Sequence, residues 1–284
     1  MSLVDDSAAR QAPTATLRAS RALQPGLWLA WLVLLLAGVA AIAPGLLTDY
    51  SATEGIAGAQ RLAPQAGHWL GTDQLGRDLF ARIVYGAADS LSAALTAVAM
   101  GLTAGTLLGL LAGASGGKGE ALMMRCVDVL LSIPSLLLSL SVLILLGFGT
   151  LHAALAVGVA SVASFARLAR GEVVRIRRSD YVEAAFGSGG TFFAVLRRHI
   201  LPNVMTPLIA FAALQFGQAI LALSTLSFLG YGTPPPSPEW GLLIAEGRNY
   251  LSTAWWLTTF PGMVVVAVVL AANRISLQLS GGRR

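Results

Sequence analysis

Charge is scarce in this sequence of 284 residues: only 12% of them are Asp, Glu, Lys or Arg, against about 25% in soluble globular domains. Hydrophobic residues make up 55% of the chain, and the mean hydropathy is +0.71. This composition excludes an ordinary soluble domain and places most of the chain in a lipid bilayer.

Cysteine and histidine are almost absent, which limits the chemistry that the chain can support. Cys126 is the single cysteine, so no internal disulfide forms. The three histidines lie far apart, at positions 68, 152 and 199, which argues against a clustered His/Cys metal site. No Ser/His or His/Glu pair stands at catalytic spacing, so an intramembrane hydrolase is not supported. We therefore expect neither a catalytic residue nor a bound metal.

Six uncharged runs are long enough to cross a membrane. A bilayer core about 30 Å thick is spanned by about 20 apolar residues in a helix. The runs predict an all-α, polytopic membrane protein with six transmembrane helices. They occupy residues 27–47, 91–114, 127–146, 151–166, 205–230 and 256–272.

The runs and the polar segments between them divide the chain into five parts. A cleaved signal peptide is an alternative for the first run, because Ala41-Ile42-Ala43 has the small-x-small form. The run is longer than a signal h-region and Pro44 follows at once, which favours a retained helix. The parts are a cytoplasmic N-terminal tail (1–26), the first transmembrane helix (27–47), an extracytoplasmic segment (48–90), a five-helix core domain with a cytoplasmic loop (91–275, loop 167–204) and a cytoplasmic C-terminal tail (276–284).

Positive charge is distributed unevenly among the loops. With a cytoplasmic N-terminus, 15 of the 19 basic residues fall on the cytoplasmic side and four on the other. Short cytoplasmic loops of membrane proteins show this asymmetry, so we expect both termini in the cytoplasm. The pI near 10.0 then reflects membrane orientation and contact with lipid, and nucleic-acid binding is not expected.

A glycine repeat marks the second run. Its members recur every four residues and so lie along one helix face, where another helix backbone can approach closely. Helix packing is the favoured interpretation, and a pore lining is the alternative. The repeat consists of Gly101, Gly105, Gly109 and Gly113.

The predicted spans hold almost no charge. Carriers driven by protons or ions usually keep ionisable groups at mid-membrane. Here Asp128 and His152 come nearest, and each lies close to a predicted interface. The chain therefore offers no evident route for ion coupling, and uphill transport would take its energy from a partner.

The 167–204 loop contains the most specific pattern in the chain, a Glu-Ala-Ala triplet with a glycine four residues after its last Ala. A short helix with small side chains can seat in a groove of another protein, and the glycine permits a tight turn. The alternative is an amphipathic helix held on anionic lipid by the arginines of the loop. The pattern comprises Glu183, Ala184, Ala185 and Gly189, then His199, Leu201, Pro202 and Asn203 before the next span.

Three further motifs accompany this loop in a fixed order. They are HWLGTDQLGRD at 68–78, SIP at 132–134 with an expected proline kink, and SFLGYG at 227–232 followed by a proline-rich stretch and Trp240-Gly241. With these motifs the chain resembles the C-type permease subunit of dipeptide, oligopeptide and nickel ABC importers, from about residue 68 to about residue 273.

The resemblance implies the type I ABC importer permease fold and a location in the bacterial plasma (inner) membrane. Its implied partners are a second homologous permease, two ABC ATPase subunits, an extracytoplasmic solute-binding protein and membrane lipid. ATP and Mg²⁺ would bind the ATPases, because no phosphate-cradling G-x-x-x-x-G-K-[ST] loop occurs here. The chain itself would then bind no cofactor and would not be an enzyme.

Site roles follow from the same resemblance. Residues 183–189 would form the coupling helix that contacts an ATPase. A second group of residues would face outward as an outer gate or binding-protein dock, with structural turns as the alternative. This group is Gly71, Thr72, Asp73, Gly76, Arg77, Asp78, Pro235, Trp240 and Gly241.

The solute is expected to be a dipeptide or oligopeptide, and a nickel or metal-chelate importer is the alternative. A stand-alone carrier or channel is a more distant possibility, since it would show mid-membrane charge, broken helices or internal duplication. A membrane adaptor without a transport role would share the docking loop and need no solute path.

Overall fold

The computed structural model describes residues 25–281, and their regular structure is helical, with no β-strand in that range. Short 3₁₀ and π turns link some of the helices. The helices are α1 (Pro25–Ile42), α2 (Leu79–Ser115), α3 (Gly117–Ser132), α4 (Ser135–Leu146), α5 (Thr150–Arg177), α6 (Asp180–Gly187), α7 (Phe192–Val195), α8 (Leu201–Phe228), α9 (Trp240–Gly247) and α10 (Trp256–Gly281).

Five of these helices, α1, α2, α5, α8 and α10, are long and apolar enough to cross a membrane, α8 together with the turns that precede it. A sixth crossing would need α3 and α4 together, and these two helices are bent by 95° where they meet. The third predicted span, 127–146, is therefore not one straight helix. Pro134 breaks it because proline has no N–H to donate and forces Ile133 into extended backbone, with φ −86° and ψ 130°.

Several helices extend beyond the apolar runs that predicted them. Helix α2 begins at Leu79, inside the segment expected to be extracytoplasmic, and α5 continues to Arg177. Helix α10 reaches Gly281, through the expected C-terminal tail. The length of an apolar run reflects the part of a helix that contacts lipid. The helix itself continues for as long as its backbone N–H and C=O groups are hydrogen-bonded to each other. At about 1.5 Å per residue, the 37 residues of α2 exceed the thickness of a bilayer core.

The core of the bundle is the contact between α2 and α5, which run in the same direction. The glycine repeat of α2 lies on this contact and all four glycines are buried. A Cβ at Gly101 would lie 2.0 Å from Ser161 Oγ, and one at Gly113 would lie 2.8 Å from Val173 Cβ. Helices α8 and α10 complete the bundle, and α1 packs at its edge, with Ala30 buried against α10.

A buried ion network joins separate parts of the chain at the end of the bundle where α2 begins. The Asp73 carboxylate accepts hydrogen bonds from Arg77 Nε at 2.6 Å and from Arg82 Nη1 at 2.7 Å. Arg82 Nη1 also donates to Glu246 of α9 at 2.8 Å. The two arginines are balanced by the two carboxylates. The network therefore fixes both the 71–78 turn and α9 against the start of α2.

The glycine contact predicts a stability loss for any added side-chain atom. We expect Gly109→Ala to lower the free energy of unfolding by about 1–3 kcal/mol, because the new Cβ would lie 2.5 Å from the Ala166 carbonyl oxygen. Gly38→Ala in α1 is the matched control, since no atom lies within 4 Å of that Cβ. Denaturation in detergent, followed by tryptophan fluorescence, measures both. Equal stability of the two variants would contradict the close contact.

The ion network predicts a large effect for the loss of one arginine. Arg82 is 1% exposed, and its removal leaves Asp73 and Glu246 with one negative charge in excess. We expect Arg82→Ala to cost about 3–5 kcal/mol of unfolding free energy, the usual penalty for an uncompensated buried charge. Arg248→Ala removes an exposed arginine at the same end and should cost less than about 1 kcal/mol. Similar losses in the two variants would show that the network does not stabilise the fold.

Candidate functional site

The Glu-Ala-Ala pattern lies in a compact loop between α5 and α8. Ser179 precedes α6, and the acidic residues Asp180 and Glu183 occupy its first turn, where the helix dipole favours negative charge. Gly189 ends this helical turn with φ +84°, a conformation that side chains with a Cβ rarely adopt, and its N–H donates to the Phe186 carbonyl at 3.0 Å. The chain can therefore reverse here without strain.

The apolar side chains of this loop continue the hydrophobic core of the bundle. Val182 of α6, Val195 of α7 and Ile200 of the π turn are almost fully buried, and Val204 of α8 joins them. A Cβ at Gly190 would lie 2.6 Å from the Ala185 carbonyl oxygen, so the two halves of the loop pack tightly. We infer that the loop moves as one rigid unit.

Five of the eight predicted residues of the coupling pattern lie in this loop, and the other three lie in the first turn of α8. Glu183, Ala184 and Gly189 are exposed, and Ala185 is half-buried. On the other side of the turn, the Asn203 amide donates to the His199 carbonyl at 2.7 Å, which braces the start of α8. Leu201 and Pro202 continue the helix directly from the π turn, in which the Leu201 N–H donates to the Leu196 carbonyl oxygen.

Exposed aromatic side chains surround the small residues, and the sequence interpretation missed them. Phe193 is 71% exposed and Tyr181, Phe186 and Phe192 are also exposed, an unusual concentration for a polar loop. We call Tyr181, Glu183, Ala184, Phe186 and Phe193 the coupling face. The sequence signal for this surface is the occurrence of aromatic residues inside an arginine-rich loop, and the motif of small residues does not include them.

Arginines of α5 connect this loop to the neighbouring helices. Arg177 Nη1 donates to the carbonyl oxygens of Gly113 at 2.7 Å and Ala114 at 3.1 Å, which lie in the last turn of α2 and lack helical partners. Arg170 Nε donates to Glu120 of α3 at 2.6 Å. A displacement of the loop would therefore pull on both α2 and α3.

The predicted outward-facing segment 71–78 forms a turn at the opposite end of α2. Thr72, Asp73, Arg77 and Asp78 are buried, and Asp78 accepts a hydrogen bond from the Ala81 N–H as the N-cap of α2. These side chains face inward, so a binding protein could touch only their neighbours.

Both glycines of this turn have positive φ and close backbone neighbours. Gly71 has φ +80°, and an added Cβ would lie 2.8 Å from the Trp256 indole nitrogen. Gly76 has φ +78°, and a Cβ there would lie 2.4 Å from the Ile56 carbonyl oxygen. Exposed apolar surface at this end comes instead from Trp69 and Leu75, which belong to the 68–78 motif but are not among its residues predicted to form the outer gate or dock.

The proline-rich segment before α9 lies at the same end. Pro235 is exposed, whereas Trp240 is buried and its indole N–H donates to the Ile83 carbonyl at 2.9 Å. A Cβ at Gly241 would lie 2.6 Å from Ser224 Cα, so α9 packs directly on α8. Burial raises the pKa of Glu239, whose carboxylate accepts from the first N–H groups of α9. Of these residues, Pro235 alone presents a free surface.

The sequence of this chain is similar to those of known transport proteins. Residues 105–280 match the family described as binding-protein-dependent transport system inner membrane component. The chain is 42% identical over 209 residues to the di/tripeptide transport system permease protein of Pseudomonas aeruginosa, covering 74% of this chain and 69% of that protein. It is 40% identical over 237 residues to the dipeptide transport system permease protein of Alkalihalophilus pseudofirmus, covering 84% and 78% respectively.

A solved structure shares the fold. A chain of the methionine ABC transporter MetNI, in an inward-facing conformation, superposes with a TM-score of 0.58 at 18% identity, over 70% of this chain and 96% of that one. This likeness confirms the predicted all-α architecture of a type I ABC importer permease. The family match covers more than half of the sequence, and the chain belongs to the family of binding-protein-dependent transport system inner membrane components.

Proposed function

We propose that this chain is a permease subunit of a bacterial ABC importer for dipeptides and short oligopeptides. The observation that supports it most directly is the rigid loop with an exposed coupling face, which fits a groove of a partner protein. The relatives named above are peptide permeases, so the nickel or metal-chelate alternative loses support. A stand-alone carrier is disfavoured because the family consists of components of larger transport systems.

The partners in this proposal are a second, homologous permease, two ATPase subunits and an extracytoplasmic binding protein. The coupling face would contact one ATPase on the cytoplasmic side, where the arginines of the loop also meet anionic lipid. Both chain termini would lie on that side. Trp69, Leu75 and Pro235 would supply exposed surface for the binding protein at the other end, on a scaffold held by the ion network.

Energy would reach the membrane through the loop. ATP and Mg²⁺ would bind the ATPases, and this chain would hydrolyse nothing. Shifting a two-state gate from 1:99 to 99:1 takes about 5.5 kcal/mol of differential binding. Because the loop is a packed unit and Arg177 holds the end of α2, motion of the coupling face would displace transmembrane helices directly. Glu183 to Gly189 would be the part that touches the ATPase.

Gly189→Asp tests this coupling contact. We expect the substitution to reduce co-purification of the ATPases from detergent-solubilised membranes by about tenfold, the effect of losing about 1.4 kcal/mol of interface energy. The reason is that Asp fits poorly at φ +84° and would shift α6 against α7. Co-purification of the second permease should remain, since its contacts lie in the membrane.

Gly119→Asp is the matched control for this experiment. It adds the same charge at the same end of the bundle, on α3, where the nearest atom to the new Cβ is Ser115 Oγ at 3.7 Å. ATPase recovery should equal that of wild type. If wild-type protein is purified without ATPases and still moves solute in liposomes, the importer proposal is wrong and a stand-alone carrier is favoured.

A further inference from the structure

A cavity of about 510 Å³ lies inside the bundle, between α2, α4, α5 and α8. Its volume is within the range of about 300–1,000 Å³ that small-molecule sites occupy in proteins. Gln215, on its wall, stands near the middle of α8 and hence at the depth of the membrane centre. The cavity contains none of the predicted site residues described above.

The wall of this cavity is partly polar, and it is uncharged. Ala, Val and Leu side chains form the apolar part, and no Asp, Glu, Lys, Arg or His is among the described residues that line it. The break at Pro134 matters here, because it turns α4 so that the first turns of that helix face the cavity. The polar members are Ser135 and Ser139 of α4, Ser161 and Ser164 of α5, and Gln215, Gln218 and Thr225 of α8.

The two glutamines are unsatisfied within the described chain. Neither amide makes a hydrogen bond to any of residues 25–281, and Gln218 is exposed where the cavity opens. A carboxamide placed at membrane depth without a partner is unfavourable, so it needs water or a ligand. Ser139 and Ser161 instead donate to carbonyls of their own helices, which leaves their oxygens free only to accept.

We propose that this cavity is part of the solute path and that Gln215, Gln218 and Ser164 hydrogen-bond the peptide groups of the passing solute. A glutamine amide presents one acceptor and two donors, which complements the C=O and N–H of a peptide group. Because the wall carries no charge, acidic, basic and neutral side chains pass alike. The inference rests on the proposed peptide importer and adds the residues that contact the solute.

Uptake by the complete importer, reconstituted with its partner subunits in proteoliposomes, tests the inference. The probes are alanyl-alanine, alanyl-glutamate and alanyl-lysine. We expect the double variant Gln215→Leu with Gln218→Leu to slow uptake of all three by about tenfold, the size expected for two lost hydrogen bonds. Gln278→Leu makes the same change on α10, away from the cavity, and should leave uptake unchanged. Wild-type rates in the double variant would overturn the inference.

A charged variant gives a sharper readout that a merely structural role would not produce. Gln215→Glu introduces a negative charge into the wall, so uptake of alanyl-glutamate should fall relative to alanyl-lysine by about tenfold. An unchanged ratio between the two peptides would show that the solute does not pass residue 215.

Cysteine labelling tests the cavity in the full chain even where a variant fails to assemble. In a Cys126→Ser background, we expect a water-soluble maleimide to label Gln218→Cys but not Leu107→Cys, which is exposed on the lipid-facing side of α2. Added alanyl-alanine should slow labelling at position 218 in the complete importer. Failure to label position 218 overturns the inference. If the wild-type importer takes up no peptide while the Gln218→Cys importer is still labelled at position 218, the peptide proposal is refuted instead.

Discussion

The close approach of α2 and α5 is the contact on which the rest of the structure depends. Glycines at every fourth position bring the two backbones together, and in lipid such packing replaces the hydrophobic effect as the source of helix association. Helix α2 carries the ion network at one end and receives Arg177 at the other, while α5 leads directly into the coupling loop. Both candidate contact surfaces are therefore held by one pair of helices.

Charge is excluded from the middle of this bundle and concentrated at its ends. Charges at the end where α2 begins are paired inside the network of Asp73, Arg77, Arg82 and Glu246. At the other end, arginines of α5 pair with acidic residues of α3 or with helix carbonyls. Between the two ends, the polar side chains that line the cavity in the described part of the chain carry only hydroxyl and amide groups. This distribution agrees with the proposal that the energy for transport reaches the bundle through contact with a partner at one end.

Hydropathy predicted the helical membrane fold, because a bilayer imposes a length of apolar sequence on each span. It could not predict where helices end, since Asp78 begins α2 through a local cap that contributes no hydropathy signal. The coupling loop was found because its motif is contiguous in sequence. The inward orientation of the 71–78 segment has no local sequence signal, because Asp73 is linked through Arg82 to Glu246 of α9, which lies some 170 residues further along the chain. Gln215 and Gln218 are uncharged and lie within an apolar run, so neither charge nor hydropathy distinguishes them in the sequence.

The hydrogen bonds of Arg177 couple the loop to α2 only over small displacements. One guanidinium nitrogen serves two adjacent carbonyls of α2, so small displacements of the loop keep both hydrogen bonds and carry the helix end along. A displacement large enough to break one weakens the geometry of the other, and the two are lost together. The displacement that these two hydrogen bonds can transmit therefore has an upper limit set by the length of a hydrogen bond, about 3 Å. Any larger movement of the partner would reach the bundle only through α5 and α8, which are covalently continuous with the loop.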